Sequence, residues 1–550
     1  MKRHIWLALL SSFLLWLAWP PIPYTSVILL FALVPLMMAL QELSESKRAK
    51  KPIFLTAGLT FLVWNTASIY WVFNSLNAVM PTIAACLLSL IPFGLGALLM
   101  TLSFWFYQKI ADKTKPLIAD ICLIGLWISY EYLHQTWDLK FPWMTLGNGF
   151  STSAQLIQWY EYTGVYGGTL WTLVSNILIF RFVSQIKNSK LKSKNADVVK
   201  LTGKKSNLSL IALVAWIVLP ITVSLFIYND YEEEVNPSDV VVVQPNIDPY
   251  GKNHTYTAEE QLEKLIKLSK EKGQVNTEFF IWPETALIGY TDEATFLESR
   301  NFKTVNRFLD SFKNATVITG AETYLVYQNK RTESARFDKQ NKIYWDSFNT
   351  AVAIENSPKL QFYHKSKLVP GVEKMPFPFL LNVLGPLFSE FGGTTGGYGS
   401  QKEPSNLYAS SGIGVVPAIC YESIWGDWVA QSVSKGAQFI AVITNDGWWG
   451  NTTGKDQHLD YARLRAIENR RWVARSANTG ISAFINQRGD VVQHTEWWKD
   501  AVIKQDINLN SELTFYTKHQ DWIVYPFLVI GILSVIYSVF IGFVRKKKVE

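Results

Sequence analysis

The segment GIGVVPAICYESIW, residues 412–425, is an apolar run that ends in a cysteine, an aromatic residue and a carboxylate. The short run 415–419 predicts a buried strand, and the polar pair Glu422 and Ser423 predicts the start of a helix. Cys420 therefore lies at a strand-to-helix junction, where a thiol can project into a cleft and a helix N-terminus favours the thiolate. A buried core cysteine is the competing interpretation, because cysteine is among the most buried residue types. The rest of the chain decides between the two.

The composition of the 550-residue chain indicates that part of it lies in lipid. Its hydrophobic fraction is 49% and its aromatic fraction 14%, both more than a soluble protein usually carries. The basic residues behind the net charge of +7 cluster at the ends of apolar segments, which indicates membrane topology and gives no reason to expect a nucleic-acid partner. Cys86 and Cys122 lie in apolar segments and Cys420 is alone outside them, so no disulfide framework is expected.

Eight apolar segments predict membrane spans, most of them long enough to cross a bilayer. They are residues 5–18, 24–40, 53–75, 82–107, 117–133, 164–185, 208–228 and 521–544. The first resembles a signal peptide but lacks a small-residue cleavage site, so we interpret it as an uncleaved helix. The expected domains are a transmembrane domain of seven spans over 1–228, a catalytic domain over 229–520, and a last helix with a basic tail over 521–550.

Basic residues fall on alternate loops, and cytoplasmic loops are enriched in them. These loops carry Lys2, Arg3, Lys47, Arg48, Lys50, Lys51, Lys109, Lys113, Lys115, the lysines from Lys187 to Lys205 and the tail Arg545–Lys548. The intervening loops, 19–23, 76–81 and 134–163, carry only Lys140. We therefore expect both termini in the cytoplasm and the large polar domain on the other side, which in a bacterium is the periplasmic face of the inner membrane.

The loop 134–163 is aromatic and nearly uncharged, and it contains Trp143 in the sequence Phe141-Pro142-Trp143. Such a segment is expected in the lipid headgroup layer. It is either an ordinary aromatic belt or a contact for a lipid substrate, because Trp and Tyr anchor many membrane proteins without touching a ligand.

The polar domain alternates predicted strands with helices, a pattern typical of a layered α/β domain. Strands are predicted at 240–243, 279–282, 316–319, 351–354, 415–419, 439–443 and 481–485, and a helix at 456–472. Thr257 and Glu260 form a capping-box pattern that predicts the start of another helix. No repeat or low-complexity segment is present in the sequence.

Three reactive side chains follow predicted strands or lie in turns, where α/β domains place their sites. They are Glu284, Lys365 and Cys420, and Glu373 follows eight residues after the lysine. A thiolate attacks acyl carbon when a base takes its proton and a cation meets the oxyanion, roles that suit Glu284 and Lys365. Taken singly, each residue also has a structural interpretation, as a turn carboxylate or a solvated lysine.

The short sequence motifs around these residues resemble those of the nitrilase superfamily and, within it, of the membrane-bound apolipoprotein N-acyltransferase family. The similar motifs are Trp282–Ala286, Tyr363–Pro370 with Glu373, Cys420-Tyr421-Glu422, Asn445–Gly450, Gln457-His458, Ala462–Glu468 and Phe141-Pro142-Trp143. The resemblance covers nearly the whole chain. It implies an αββα sandwich domain held over eight transmembrane helices.

The resemblance also implies a reaction and its residues. The acyl donor is a phospholipid and the acceptor is the α-amino group of a diacylglyceryl-cysteine at a lipoprotein N-terminus, with a thioester on Cys420 between the two steps. Glu284 is the implied base and Lys365 the oxyanion partner. Glu373, Tyr421 and Glu422 are expected to support them. Trp143, Trp282, Trp448 and Trp449 are the candidate substrate contacts.

Two departures from the family pattern stand in this sequence. The turn Val369-Pro370-Gly371-Val372-Glu373 has its glycine shifted, although the spacing from the lysine to the glutamate is kept. Tyr250, Asn253 and His254 occupy a region where the family often has a tryptophan.

Other chemistries have little support in the sequence. The histidines form no His-Glu-x-x-His pattern, so neither a metal site nor a cofactor is expected. His364 is interpreted as a neighbour of Lys365 without a catalytic role, and His458, near a helix start, as a structural hydrogen-bonding residue. A membrane-tethered nitrilase or amidase that uses the same three residues to hydrolyse a small amide with water is the first alternative function, and a lipid-binding or transport protein without enzymatic activity is the second.

Overall fold

The computed structural model describes residues 2–46, 50–193, 203–250, 256–374, 376–377 and 397–546. A helical region precedes an α/β region, and a single long helix follows it. Several residues used in the sequence arguments lie outside the described residues: Lys47, Arg48, Lys194, Lys200, Asn253, His254, Lys547 and Lys548.

The helical region is built of apolar helices packed on one another. They are α1 (Lys2–Leu17), α2 (Val34–Glu45), α3 (Lys50–Ser68), α4 (Trp71–Asn77), α5 (Thr82–Ala111), α6 (Pro116–Thr136), α7 (Tyr160–Ser193) and α8 (Gly203–Asp230). Among the described residues, six helical segments are long and apolar enough to span a membrane, one of them at the C-terminal end of the chain. The pair α3 and α4, bent by 59°, would make a seventh. This is a multi-pass membrane protein.

The predicted helical membrane region is confirmed, whereas the number of eight spans stays a prediction. Every predicted apolar segment contains a helix, although α2 begins only at Val34, after a 3₁₀ segment at Ser26–Leu30, and the segment 53–75 is divided between α3 and α4. The apolar helix in the first of them, Arg3–Leu17, is shorter than the roughly 20 residues that cross a bilayer.

The aromatic loop between α6 and α7 folds back into the protein as two 3₁₀ segments, Pro142–Met144 and Leu146–Leu156. The Glu131 carboxylate on α6 accepts hydrogen bonds from the Leu146 N–H at 2.8 Å and the Thr169 hydroxyl at 2.8 Å. Residues 142–151 are almost all buried. The stretch is therefore packed inside the protein, because a buried carboxylate ties its backbone to the helices, and its place in the headgroup layer stays a prediction.

The α/β region contains two sheets that pack face to face. Their strands are β1 (Pro237–Gln244), β2 (Phe279–Ile281), β3 (Leu287–Asp292), β4 (Thr316–Tyr327), β5 (Arg336–Asp338), β6 (Ile343–Ile354), β7 (Leu360–His364), β8 (Leu407–Tyr408), β9 (Gly414–Ile419), β10 (Ala437–Thr444), β11 (Val473–Ala477), β12 (Ala483–Ile485), β13 (Val491–His494) and β14 (Ala501–Asn508). The first sheet has the order β14-β1-β2-β4-β6-β5, with β3 beside β4 and β7 beside β6. The second has the order β13-β12-β11-β10-β9-β8.

Helices cover the outer faces of both sheets, which completes four αββα layers. They are α9 (Ala258–Lys272), α10 (Arg300–Leu309), α11 (Gly426–Ser434) and α12 (Thr453–Asn469), followed by α13 (Phe515–His519) and the apolar α14 (Val524–Lys546). Side chains alternate across the first sheet: Phe279 packs against Phe439 of the second sheet at 5.0 Å between ring centroids, whereas Phe280 packs against the helix side. The predicted α/β sandwich is confirmed.

Two boundaries differ from the sequence prediction. The helix expected at Glu422 begins only at Gly426, because residues Cys420–Ile424 first form a 3₁₀ turn. The helix expected to end at residue 472 ends at Asn469, since Arg470 has a left-handed φ of 49° and starts the turn into β11. Arg470 is held there by the Glu161 carboxylate of α7, 2.6 Å from its Nε.

Candidate active site

Three strands end next to one another and each delivers one of the expected side chains. Lys365 directly follows β7 and Cys420 directly follows β9, while Glu284 lies three residues beyond β2. All three side chains are buried, and only 8% of Cys420 is exposed. Within the fold, these strand ends meet between the two sheets.

Lys365 joins two carboxylates. Its Nζ lies 3.0 Å from Oε1 of Glu284 and 2.8 Å from Oε1 of Glu373. Burial alone would lower the pKa of this lysine, but the two carboxylates outweigh burial and raise the pKa well above its usual value. The side chain is therefore a fixed cation.

Two residues that were not predicted from the sequence, Asn349 and Gly320, hold Glu284 in place. The Asn349 amide on β6 donates to Oε1 of Glu284 at 2.8 Å, and to Oε1 of Glu373 at 3.3 Å. Gly320 on β4 lies so close to the Glu284 backbone that an added Cβ would lie 2.7 Å from the Glu284 Cα. A polar asparagine inside a strand-like run could have indicated a role for Asn349. The contact of Gly320 with Glu284 depends on strand pairing, which the sequence pattern does not reveal.

The shifted glycine does not prevent the turn after Lys365 from presenting its carboxylate. Gly371 has a φ of +83°, a left-handed conformation that favours glycine, and the turn is closed by a hydrogen bond from its N–H to the Lys374 carbonyl at 2.8 Å. The second oxygen of Glu373, Oε2, accepts the Val369 N–H at 2.8 Å. Glu373 thus ties the turn to the lysine.

Glu422 binds backbone and makes no hydrogen bond to the Lys365 or Glu284 side chain. Its Oε1 accepts the Ser366 N–H at 2.7 Å and the Tyr363 hydroxyl at 2.8 Å. Its Oε2 accepts the N–H of Ile419 at 3.0 Å. This carboxylate therefore fastens the segment around Lys365 to the strand that ends in Cys420.

Cys420 adopts a left-handed backbone conformation, with a φ of 51°, at the sharp turn after β9. Such a conformation is uncommon for a non-glycine residue and is often found at functional sites. Burial, followed by the Glu284 carboxylate, raises the pKa of the thiol, and Lys365 offsets this only in part. The expected thiolate stabilisation by a helix N-terminus is absent, because the helix starts at Gly426. A base is therefore needed to generate the nucleophile.

The buried imidazole of His458 contacts the backbone of the turn that carries Cys420. Nε2 of His458 on α12 lies 3.1 Å from the Cys420 carbonyl oxygen and 2.9 Å from the Ser423 hydroxyl. Its Nδ1 lies 3.0 Å from Asp446, which also pairs with Arg475 at 2.6 Å. The interpretation of His458 as a structural hydrogen-bonding residue agrees with these contacts. His364 likewise contacts Glu293, at 2.6 Å.

Comparison with known proteins agrees with this geometry. The family profile described as "Carbon-nitrogen hydrolase" matches residues 240–512, and that described as "Apolipoprotein N-acyltransferase N-terminal domain" matches residues 11–178. A relative named apolipoprotein N-acyltransferase from Chlorobaculum tepidum is 28% identical, with 100% of this chain and 98% of the relative covered. One of the same name from Rickettsia prowazekii is 30% identical, with 73% of each chain covered. The chain belongs to the apolipoprotein N-acyltransferase family.

The four tryptophans expected to contact substrate lie in three different environments. Trp143 and Trp449 lie together with His458, with 5.6 Å between the two tryptophan rings. Trp448 is 41% exposed and stacks edge-on with Tyr250, whose hydroxyl donates to the Trp448 carbonyl at 2.8 Å. Tyr250 thus contributes an aromatic ring in the region of the missing tryptophan.

Trp282 differs from the other three tryptophans. Its ring is fully buried on the helix side of the first sheet and its N–H donates to Ser269 on α9 at 2.9 Å. Strand alternation explains this, because Phe279 and Ile281 face the second sheet and Trp282 faces the helices. The position of Trp282 therefore does not support the predicted contact of this residue with substrate.

The membrane helices and the α/β region meet next to the cysteine. The Tyr421 hydroxyl donates to the Lys140 carbonyl at 3.0 Å. One step before His458, the Gln457 Oε1 accepts the N–H groups of Trp143 at 2.7 Å and Trp71 at 3.2 Å. Its Nε2 donates to the carbonyls of Pro20 at 2.8 Å and Ser68 at 3.0 Å. A single buried amide therefore joins α12 to three parts of the helical region.

Among the described residues, no group of three or more His, Cys, Asp or Glu side chains could hold a metal ion. The buried cation near Cys420 is Lys365 itself.

Proposed function

We propose that this protein transfers an acyl chain from a phospholipid to the N-terminal α-amino group of a diacylglyceryl-cysteine in apolipoproteins. The observation that carries the proposal is the buried Lys365 ammonium held between two carboxylates beside a cysteine in a left-handed turn. Membership of the apolipoprotein N-acyltransferase family supports the substrate assignment.

The first step forms a thioester on Cys420. Glu284 takes the thiol proton as Sγ attacks the ester carbonyl carbon, and Lys365 donates a hydrogen bond to the developing oxyanion. When the tetrahedral intermediate collapses, the ester C–O bond breaks. The alkoxide leaving group takes the proton from Glu284, so a lysophospholipid departs.

The second step regenerates the thiol. The uncharged α-amine of the acceptor attacks the thioester carbonyl, and Glu284 accepts the proton that the nitrogen loses. The C–S bond breaks and the departing sulfur recovers a proton from Glu284. Glu373 and Glu422 act as positioning residues, the first on the lysine and the second on the backbone around it.

The division of the chain follows the same proposal. Residues 1–228 form the transmembrane domain, 229–520 the periplasmic catalytic domain, and 521–550 the last helix with its basic cytoplasmic tail. The alternation of basic loops supports cytoplasmic termini and a location in the inner membrane. The close contact of Gln457 with the membrane helices supports a catalytic domain placed directly on the bilayer.

The test is transfer to a defined acceptor. Purified protein in mixed micelles receives a phospholipid and a synthetic peptide with an N-terminal diacylglyceryl-cysteine, and the peptide is weighed by mass spectrometry. The proposal predicts a mass increase of one acyl chain on the α-amine and a matching lysophospholipid. Release of free fatty acid with an unmodified peptide would instead identify a lipid hydrolase and contradict the proposal. Hydrolysis of a small amide without acyl transfer would favour the first alternative, and no turnover of either substrate would favour the lipid-binding alternative.

A further inference from the structure

Lys140 is the basic residue that stands alone in the loops predicted on the periplasmic face. Two hydrogen bonds hold its loop against the turn that carries Cys420. The Tyr421 hydroxyl donates to the Lys140 carbonyl at 3.0 Å, and the Trp425 indole donates to the Gln135 carbonyl at 3.2 Å. The lysine is thus fixed beside the proposed acylation site.

Two further lysines enter the same region from the turn after β7. Lys367 comes two residues after Lys365, and its ammonium lies 4.4 Å from the Trp428 ring centroid and 5.8 Å from that of Trp425. Lys374 directly follows Glu373, and its Nζ lies 3.9 Å from Oδ1 of Asp138, two residues before Lys140. Each lysine therefore neighbours a residue of the proposed site along the chain or in space.

The Lys140 ammonium is close enough to those of Lys367 and Lys374 to be repelled by both. Burial first, and then repulsion from Lys367 and Lys374, lower the pKa of Lys140 to about 8 in spite of Asp138 and Glu422. The part of the chain that the structure describes offers the Lys140 ammonium no hydrogen-bond or ion-pair partner. Among the described residues, only Lys374 of these three lysines forms an ion pair with a carboxylate, that of Asp138, so the three ammonium groups outnumber their carboxylate partners and attract a ligand of the opposite sign.

We propose that Lys140, Lys367 and Lys374 form the site that binds the phosphodiester of the donor phospholipid. The inference rests on the proposed function. In a glycerophospholipid only the glycerol backbone separates the phosphate from the ester that reacts, so an anion site beside Cys420 places that ester at the thiol. Lysine ammonium groups bind phosphate as point charges. The acceptor reacts through an amine, which a cationic cluster does not attract.

The test compares two acyl donors. Thioester formation on Cys420 is followed by intact mass, first with phosphatidylglycerol and then with p-nitrophenyl palmitate, which has no phosphate. We expect each of three variants to reduce the preference for phosphatidylglycerol by about tenfold: Lys140→Gln, Lys367→Gln and Lys374→Gln. The loss of one hydrogen bond to a charged group weakens binding by about this factor. Lys140→Arg, which retains the charge, is expected to restore part of the preference. Lys313→Gln, an exposed lysine elsewhere on the domain, is the matched control and keeps it.

The outcomes distinguish the two proposals. If the wild-type protein forms no adduct with either donor, the proposed function fails and the phosphate site fails with it. If the wild type reacts and the glutamine variants keep its donor preference, or lose both donors equally, the phosphate site is wrong while the proposed function stands. Normal acylation followed by slow transfer to the peptide would assign the lysines to the acceptor and also overturn the inference.

Discussion

Lys365 Nζ lies 3.0 Å from Glu284 Oε1, inside the protein and 2.8 Å from a second carboxylate on Glu373. A single ammonium therefore neutralises part of the charge of two glutamates. The proposed mechanism gives these glutamates different tasks, since only one of them takes the thiol proton.

The pH dependence of acylation separates Glu284 from Glu373. Glu284→Gln removes the base and is expected to slow thioester formation by roughly 10² to 10⁴. Burial raises the pKa of Cys420, so its thiol stays protonated at neutral pH and loses its proton increasingly as the pH rises. The rate of Glu284→Gln should therefore increase steadily, by up to about tenfold per unit, from about pH 7 to 9.5.

Glu373→Gln is the matched control for that experiment. Its base is intact and its defect lies in the position of Lys365, so its rate should fall while its pH profile stays parallel to that of the wild type. The measurement for both variants is the rate of acyl-adduct formation by intact mass. Equal rescue of the two variants at high pH, or rescue of Glu373→Gln alone, means that the two glutamates are assigned the wrong way round.

Gln457 is expected to contribute strongly to stability. Gln457→Leu leaves two indole N–H groups and two carbonyls without this partner, and each buried polar group left unpaired costs about 1–3 kcal/mol. The thermal unfolding temperature in detergent, followed by tryptophan fluorescence, should fall clearly. Gln340→Leu, on an exposed turn, should change it little. Identical unfolding of the two variants would show that the interface does not depend on this amide.

The topology has a direct test. A reporter fused after Glu550 should be active only in the cytoplasm, and one inserted near Lys330, in the exposed connection between β4 and β5, only outside. The alternation of basic loops is the physical reason, because positively charged loops stay on the cytoplasmic side. The opposite result at either position contradicts the arrangement with eight spans.

The sequence predicts the candidate catalytic side chains because each lies in a short sequence motif that follows a strand. Asn349 and Gly320 act on Glu284 across β4 and β6, and their positions depend on a strand pairing that no local pattern gives. The position of Trp282 on the helix side follows from simple alternation and was open to prediction. The early end of α12 depends on the contact of Arg470 with Glu161, far away in the chain, which only the tertiary structure reveals.

The proposed function requires Cys420 to carry the acyl chain between the two steps. Purified protein incubated with phospholipid is weighed intact, and the modified peptide is then mapped and treated with neutral hydroxylamine, which cleaves thioesters. We expect one hydroxylamine-sensitive acyl chain on Cys420, present in Cys86→Ala and Cys122→Ala and absent in a folded, membrane-inserted Cys420→Ser. An acyl chain on another residue, or its loss from Cys86→Ala with normal folding, would show that Cys420 is not the nucleophile.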